Sequence, residues 1–150
     1  MEFIYREAQG KDIPQLIRIR ASVRENILSD PSKVQLRDYE EYLNQRGKGW
    51  VCEWQGQVIG FAVVDLWEES IWALFIYPEF IGQGIGKGLH RRLLDWYFAQ
   101  DKSQIWLCTD PHTRAEAFYR RQGWQEAGLQ NQGEIRLFLD KNTWKRTVKK

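Results

Sequence analysis

The chain has 150 residues and a net charge of +2, and 43% of its residues are apolar, 14% aromatic and 28% charged. This length matches one ordinary domain, and the composition excludes a disordered or fibrous chain. The near-neutral charge argues against nucleic acid as the main partner, and no apolar run reaches the about 20 residues of a membrane-spanning helix.

Hydrophobic periodicity predicts alternating strands and helices along the whole chain. A short strand around Tyr5 precedes a helix that begins at Asp12, has Gln15 at capping-box spacing and extends its apolar face to Ile27. The further elements are, in chain order, a helix over 36–45, strands over 49–54, 58–66 and 71–77, a helix after a glycine-rich loop, a strand over 103–109, a helix over 113–122 and strands over 124–129 and 134–139.

The order β-α-α-β-β-β-α-β-α-β-β predicts an α/β (α+β) fold with three layers. A mixed central sheet of about seven strands is expected to carry helices on both faces. The run from Ile71 to Tyr77 shows no polar alternation, so we expect it to be covered on both faces and to lie centrally in the sheet.

The termini and the cysteines indicate where the protein works. The first residues lack the basic start and apolar stretch of a signal peptide. Cys52 and Cys108 lie far apart in apolar stretches, which predicts two buried free thiols in a reducing cytoplasm rather than a disulfide. We expect one domain over residues 1–140 and a basic tail over 141–150, which is either a solvated, frayed terminus or a basic interaction arm.

The most informative stretch is a loop with glycine at positions 82, 84, 86 and 88, between a buried strand and a helix. Each glycine in the first turn of a helix costs up to about 1 kcal/mol relative to alanine. The gain is a set of backbone N–H groups that an anion can approach, with Lys87 adding positive charge. A tight turn that needs small residues for packing is the alternative. The spacing fits neither the Walker P-loop nor the dinucleotide fingerprint G-x-G-x-x-G.

Two motifs resemble those of a known family. Gln83-Gly84-Ile85-Gly86, after Leu74-Phe75-Ile76-Tyr77-Pro78, resembles the acyl-coenzyme A signature of the GNAT superfamily of N-acetyltransferases. Residues 113–124 are similar to the family's N-x-x-A-x-x-F-Y-x-x-x-G-F/W motif. Two positions depart from the pattern: Ile81 stands where the family usually has Gln or Arg, and His112 replaces the leading Asn. The order of elements is also the family's.

The resemblance implies transfer of an acetyl group from acetyl-CoA to a primary amine. No metal site is expected, because the two histidines and two cysteines lie in four different elements without ligand spacing. The resemblance also implies that Tyr119 protonates the departing thiolate and that a backbone N–H polarises the thioester carbonyl. The cofactor-binding residues that it implies are Leu74, Phe75 and Ile76 for the pantetheine arm, Gln83, Gly84, Ile85, Gly86 and Lys87 for the pyrophosphate, and Phe118. Taken alone, Tyr119 is better explained as a core aromatic residue beside Phe118 and Ala115, and it is the glycine loop that favours a catalytic role.

The residue that removes a proton from the amine is less evident, because the central strand contains no acid. The candidates are Glu25 on the first helix and Glu68 in the turn before the central strand, followed by Asp65, Glu69 and His112. Each is also explained as an ordinary turn, helix or capping residue, and a base acting through ordered water is a further alternative.

The acceptor is expected between the N-terminal helices and the sheet, where the family has its acceptor site. The candidates for its wall are Tyr39, Tyr42, Trp67 and Trp72. Acids interleaved with these aromatic residues suit a cationic amine, whether a small molecule or a peptide, and they equally suit an ordinary helix surface. His90 is expected on a solvated helix face. A homodimer is common in the family, although no pattern here identifies an interface. The alternative function is a non-catalytic module that binds or senses acyl-CoA and needs neither Tyr119 nor a base.

Overall fold

The computed structural model describes residues 2–23, 35–129 and 133–148. Seven strands form one mixed sheet in the order β1-β2-β3-β4-β5-β7-β6. The strands are β1 (Ile4–Glu7), β2 (Gly47–Trp54), β3 (Gln57–Asp65), β4 (Ser70–Ile76), β5 (Gln104–Thr109), β6 (Gln125–Leu129) and β7 (Ile135–Asp140). The helices are α1 (Ile13–Ser22), α2 (Leu36–Glu41), α3 (Ile85–Phe98), α4 (Arg114–Arg121) and α5 (Lys141–Val148).

Helices cover both faces of this sheet, which confirms the predicted three layers. On one face, Leu16 of α1 and Tyr39 of α2 pack against Phe61 and other apolar residues of β2, β3 and β4. On the opposite face, Leu89 of α3 packs with residues of β3 and β5, together with side chains of α4 and α5. The sheet therefore separates two apolar cores, one on each of its faces.

Strand β4 is the fourth of seven strands, as its apolar run predicted. It pairs with β3 along its length, but with its parallel neighbour β5 only at Ser70 and Trp106. Beyond this pair the two strands diverge towards their carboxyl ends. Leu74, Phe75 and Ile76 are consequently only half-buried. We call the opening between these halves of the strands the β4–β5 cleft.

The start of α1 differs from the predicted capping box. The Asp12 side chain makes no capping hydrogen bond to α1. It instead accepts a hydrogen bond of 2.7 Å from the Gln9 N–H and pairs with Arg6 at 2.8 Å. The Oε1 atom of Gln15 accepts a 3.1 Å hydrogen bond from the Val58 N–H of the sheet. Helix α1 ends at Ser22, and the predicted extension to Ile27 lies outside the described residues.

The expectation of a solvated C-terminal tail is wrong for residues 141–148, which form α5. The Asp140 carboxylate accepts a 2.7 Å hydrogen bond from the Thr143 N–H at the start of this helix. Trp144 is then only 6% exposed and belongs to the core. Cys52 is buried as predicted, whereas Cys108 is exposed, on the face of β5 that also carries the half-buried Gln104 and Trp106. Among the described residues, no helix has the length and apolarity to cross a membrane.

Candidate active site

The glycine-rich loop leads from β4 into the first turn of α3. Gly82 and Gly84 have φ angles of +89° and +83°, a left-handed conformation that favours glycine. A Cβ atom at either position would meet nothing within 4 Å, so the space above them is open. The first hydrogen bond of the helix runs from the Gly88 N–H to the Gly84 carbonyl. Within the described chain, the backbone N–H groups of residues 82–87 have no hydrogen-bond acceptor, as is usual for the first turn of a helix.

Close packing, not an open space, explains why glycine is needed at positions 86 and 88. A Cβ atom on Gly86 would lie 3.3 Å from Cδ1 of Ile76 and 3.8 Å from the Phe118 ring. A Cβ atom on Gly88 would lie 2.5 Å from the Tyr5 hydroxyl. The two explanations predicted for this loop therefore apply to different positions: an open anion cradle at Gly82 and Gly84, and close packing at Gly86 and Gly88.

Side chains of the loop divide in the same way. Gln83 and Lys87 are exposed at the helix start, whereas Ile85 is 1% exposed and anchors the first turn in the core. The anchor holds the helix start at the carboxyl end of β4. Positive charge and free N–H groups at a helix N-terminus together favour a phosphate group.

The β4 edge that faces the cleft continues from this loop. Leu74, Phe75 and Ile76 have β3 on one side and no paired strand on the other, because β5 has diverged. Their backbone groups on the open side are available to an extended ligand, which can bind there as an added strand. The loop and this edge form one continuous surface.

Tyr119 lies on the inner face of α4, beneath α3. Its ring centroid is 5.4 Å from that of Trp124 and 5.2 Å from that of Phe118, and the residue is 6% exposed. Burial raises the pKa of its phenol above the ordinary value, so the hydroxyl stays protonated at neutral pH. No described residue hydrogen-bonds this hydroxyl.

His90 is buried beside Tyr119, contrary to the expected solvated face. It is 1% exposed, and its Nε2 accepts a 3.0 Å hydrogen bond from Nε1 of Trp124. Its ring meets Phe118, Tyr119, Trp124 and Trp144 at centroid distances of 5.5 to 6.2 Å. A polar residue type predicted exposure. His90 is nevertheless a core residue, because the Trp124 indole hydrogen-bonds its neutral ring and aromatic side chains surround it.

The other face of the cleft carries an arginine that the sequence analysis missed. The guanidinium of Arg20, in the last turn of α1, lies 4.0 Å from the centroid of the Phe75 ring. Tyr39 and Asp110 are near enough to act on it electrostatically. Asp110 directly follows the carboxyl end of β5, which places it at the same end of the sheet as Arg20 and Phe75.

Aromatic residues extend this face, and they include three of the four candidates for an acceptor wall. Trp72 stacks on Tyr42 with ring centroids 4.1 Å apart and meets Tyr39 edge-on at 5.0 Å. Trp67 does not belong to this wall. It is 62% exposed at the amino end of β4, where the Arg46 guanidinium lies 4.8 Å from its ring.

The structure does not bring the predicted bases of the β3–β4 turn to Tyr119. Glu68 is exposed in this turn, at the end of β4 opposite to the glycine loop. Asp65 is 1% exposed and its carboxylate pairs with Arg46, while Glu69 pairs with Lys102 at 3.1 Å.

The other predicted bases lie elsewhere. His112 is exposed with a φ of +62°, and its N–H donates a 2.7 Å hydrogen bond to Glu116 at the start of α4. Glu25 lies outside the described residues. In the described part of the chain, no group of three or more His, Cys, Asp or Glu side chains could hold a metal ion.

Comparison with known proteins places this arrangement in a family. The model of the acetyltransferase (GNAT) family matches residues 13–124. No curated protein matches the sequence significantly.

Solved structures with the same fold include N-acetyltransferases of low sequence identity. The PaiA N-acetyltransferase of Thermoplasma acidophilum, in complex with coenzyme A, superimposes with a TM-score of 0.80 at 16% identity, over 93% of this chain and 99% of that one. The ribosomal-protein-S18-alanine N-acetyltransferase of Escherichia coli gives 0.75 at 17%, over 93% and 94%. The ribosomal-protein-alanine N-acetyltransferase of Brucella melitensis gives 0.71 at 25%, over 92% and 98%.

Proposed function

Because this chain belongs to the acetyltransferase (GNAT) family, whose members take the acetyl group from acetyl-CoA, we propose that it transfers that group to a primary amine in the β4–β5 cleft. One observation carries the proposal. The open helix start at Gly84 lies at the carboxyl end of β4, and the edge of β4 that faces β5 is unpaired at this end. This combination suits a long ligand that has a pyrophosphate at one end and an amide-bearing arm at the other.

On the donor side, the N–H groups of residues 83–87 hold the pyrophosphate, with Lys87 adding charge. The open edge of Leu74, Phe75 and Ile76 pairs with the amide groups of the pantetheine arm. A thioester supplies an activated acyl group, and a backbone N–H of this edge donates to its carbonyl oxygen where negative charge develops. Phe118, beside Gly86, closes the side of the site towards α4.

Tyr119 acts as the general acid in this proposal. Its phenol is protonated at neutral pH, its ring is fixed by Trp124 and Phe118, and its hydroxyl is not committed to another described residue. It can therefore give its proton to the thiolate as the carbon–sulfur bond breaks. The same burial that favours the neutral phenol also keeps the hydroxyl from exchanging freely with water.

The attacking amine must first lose a proton, because an ammonium group has no free electron pair. Asp110 follows β5 directly and is near enough to act electrostatically on Arg20, whose guanidinium lies over Phe75 of β4. We assign the proton acceptor to Asp110. Glu25 and Glu68 remain sequence-based candidates, and Glu68 lies before the amino end of β4, opposite to the glycine loop.

The test is a thiol-release assay with acetyl-CoA and a panel of primary amines, with a parallel assay lacking amine. Release that requires an amine, together with the acetylated amine in the mass spectrum, supports transfer. Tight binding of acetyl-CoA without release for any amine would instead favour a non-catalytic acyl-CoA module. The pH profile of Asp110→Asn distinguishes a proton acceptor from a positioning residue. If Asp110 is the proton acceptor, the rate of the variant depends more steeply on the fraction of amine that is already unprotonated.

A further inference from the structure

One buried polar atom stands apart from all others in the described part of the chain. It is Nη1 of Arg20, which has no hydrogen-bond partner although water does not reach it. Burying part of a guanidinium without a partner is unfavourable, since each desolvated donor loses its hydrogen bonds to water. Burial also lowers the pKa of Arg20 from its ordinary value. A group held in this way at a binding cleft is prepared for a ligand that supplies the missing acceptor.

The surroundings of Arg20 define what that ligand can be. Phe75 covers one face of the guanidinium, so an acceptor approaches in the plane of its N–H groups. Tyr39 is 2% exposed and close to the guanidinium, and its phenol, which burial keeps protonated with a pKa of about 12, offers a second donor. Two donors, one of them a planar fork, match a carboxylate.

Arg20 is not placed to serve the donor. It projects from α1 on the face of the sheet that packs against α2, whereas the glycine loop opens into α3 on the opposite face. The phosphates of the donor and the Arg20 guanidinium are therefore separated by the sheet, and the anion that Arg20 accepts belongs to the other ligand of the cleft.

We propose that the acceptor is a small amine that also carries a carboxylate, with Arg20 binding the carboxylate and Asp110 facing the ammonium group. This inference rests on the proposed function and narrows its substrate class to amino-acid-like compounds. Opposite charges on the two residues match the opposite charges of such a zwitterion. A polyamine has no group for Arg20 and would place a second cation beside it.

The experiment compares L-amino acids with their α-amides, which keep the amine and the side chain but lack the carboxylate. Spermidine and 1,5-diaminopentane represent polyamines. The variants are Arg20→Gln and, as matched control, Arg18→Gln, which removes the same charge from an exposed position of the same helix. Calorimetric titration with acetyl-CoA precedes each assay, so that failure of the donor site is recognised separately.

Wild-type protein is expected to have a higher kcat/KM for at least one amino acid than for its amide. The amine of an α-amide is less basic than that of the amino acid, so a larger fraction of it is unprotonated and reactive at neutral pH. This difference favours the amide, and a preference for the acid therefore requires recognition of its carboxylate. Arg20→Gln is expected to reduce the acid-to-amide ratio by about 30-fold or more, as for a truncated buried ion-pair partner, while Arg18→Gln leaves it unchanged. Acetyl-CoA affinity is expected to be the same in all three proteins.

Equal use of acids and amides, preference for a polyamine, or an unchanged ratio in Arg20→Gln would overturn the inference. A readout without turnover decides the case in which no amine is acetylated. The CoA-bound protein is then titrated with N-acetyl amino acids and with their amides. Binding of the acids that is lost in Arg20→Gln would support the carboxylate site even though the proposed reaction had failed, and binding of neither would overturn it.

Discussion

Nε1 of Trp124 donates a 3.0 Å hydrogen bond to Nε2 of His90 in the interior between α3 and α4. The indole has only a proton to give, so this nitrogen of His90 must be unprotonated. Burial among aromatic rings lowers the pKa of His90 to about 3. The hydrogen bond thus keeps a neutral histidine next to Tyr119, the proposed general acid.

This pair predicts a specific loss of stability in acid. The unfolded chain takes up a proton on His90 near pH 6.5 while the folded chain does not until about pH 3, so folding is favoured above pH 6.5 and loses stability as the pH falls below it. The slope contributed by one such group is about 1.4 kcal/mol per pH unit. Denaturant unfolding of His90→Gln, which keeps an acceptor for Trp124, should show a shallower slope between pH 6 and 4. Parallel curves for the two proteins would contradict a neutral buried His90.

Tyr119→Phe should reduce turnover without weakening the binding of acetyl-CoA. The substitution removes only a hydroxyl that no described residue hydrogen-bonds, so the packing against Trp124 survives. The expected loss in kcat is about 10²-fold or more, the ordinary size of general acid catalysis. The matched control is Tyr97→Phe, which removes a hydroxyl that donates 2.6 Å to the Gln104 carbonyl and costs about 1 kcal/mol of stability. Equal kcat in wild type and Tyr119→Phe would remove Tyr119 from the mechanism.

Gly84→Val should weaken acetyl-CoA binding by at least about 10-fold, because a branched side chain occupies the open space over the helix start. The change also strains a backbone with a φ of +83°. Gly56→Val imposes the same kind of strain at a φ of +78° in the β2–β3 hairpin, with open space around it, and serves as control. Calorimetry on both folded variants separates the effects. If the two bind acetyl-CoA equally well, the space above Gly84 is not the pyrophosphate site.

Trp144→Ala should cost about 3–5 kcal/mol of unfolding free energy, the usual cost of emptying a large core site. Trp144 is 6% exposed in α5, although the basic composition of this segment predicted a solvated tail. Trp67→Ala, at a position that is 62% exposed, should cost less than about 1 kcal/mol. Urea unfolding of the two variants makes the comparison, and a small loss for Trp144→Ala would mean that α5 does not contribute to the core.

The elements and the donor loop could be predicted because each is recorded in local sequence. The apolar run of β4 predicted its central position, and the glycines of the loop predicted a helix start with an accessible backbone, which the structure has at Gly82 and Gly84. Such signals depend on residues that are neighbours in the chain. Even here the pattern did not reveal that Gly88 serves the packing of Tyr5, a contact between distant segments.

Features that depend on distant partners were missed for the same physical reason. An arginine in the last turn of an amphipathic helix has the pattern of a solvated residue, and only the packing of α1 on the sheet buries Arg20 against Phe75. Asp65 has the sequence context of a candidate base, but its carboxylate pairs with Arg46, which lies 19 residues earlier in the chain. Burial of His90 likewise requires an indole that lies 34 residues away in sequence.

Calorimetric titration of the purified, folded protein with acetyl-CoA tests the central claim most directly, with acetate and ATP as controls. The structure predicts saturable binding of one acetyl-CoA per chain, because there is one open helix start beside one unpaired β4 edge in the described residues. It also predicts competition by coenzyme A and no comparable binding of acetate or ATP. Absence of binding, or equal binding of ATP, would contradict an acetyl-CoA-dependent transferase that uses the glycine loop and the β4–β5 cleft.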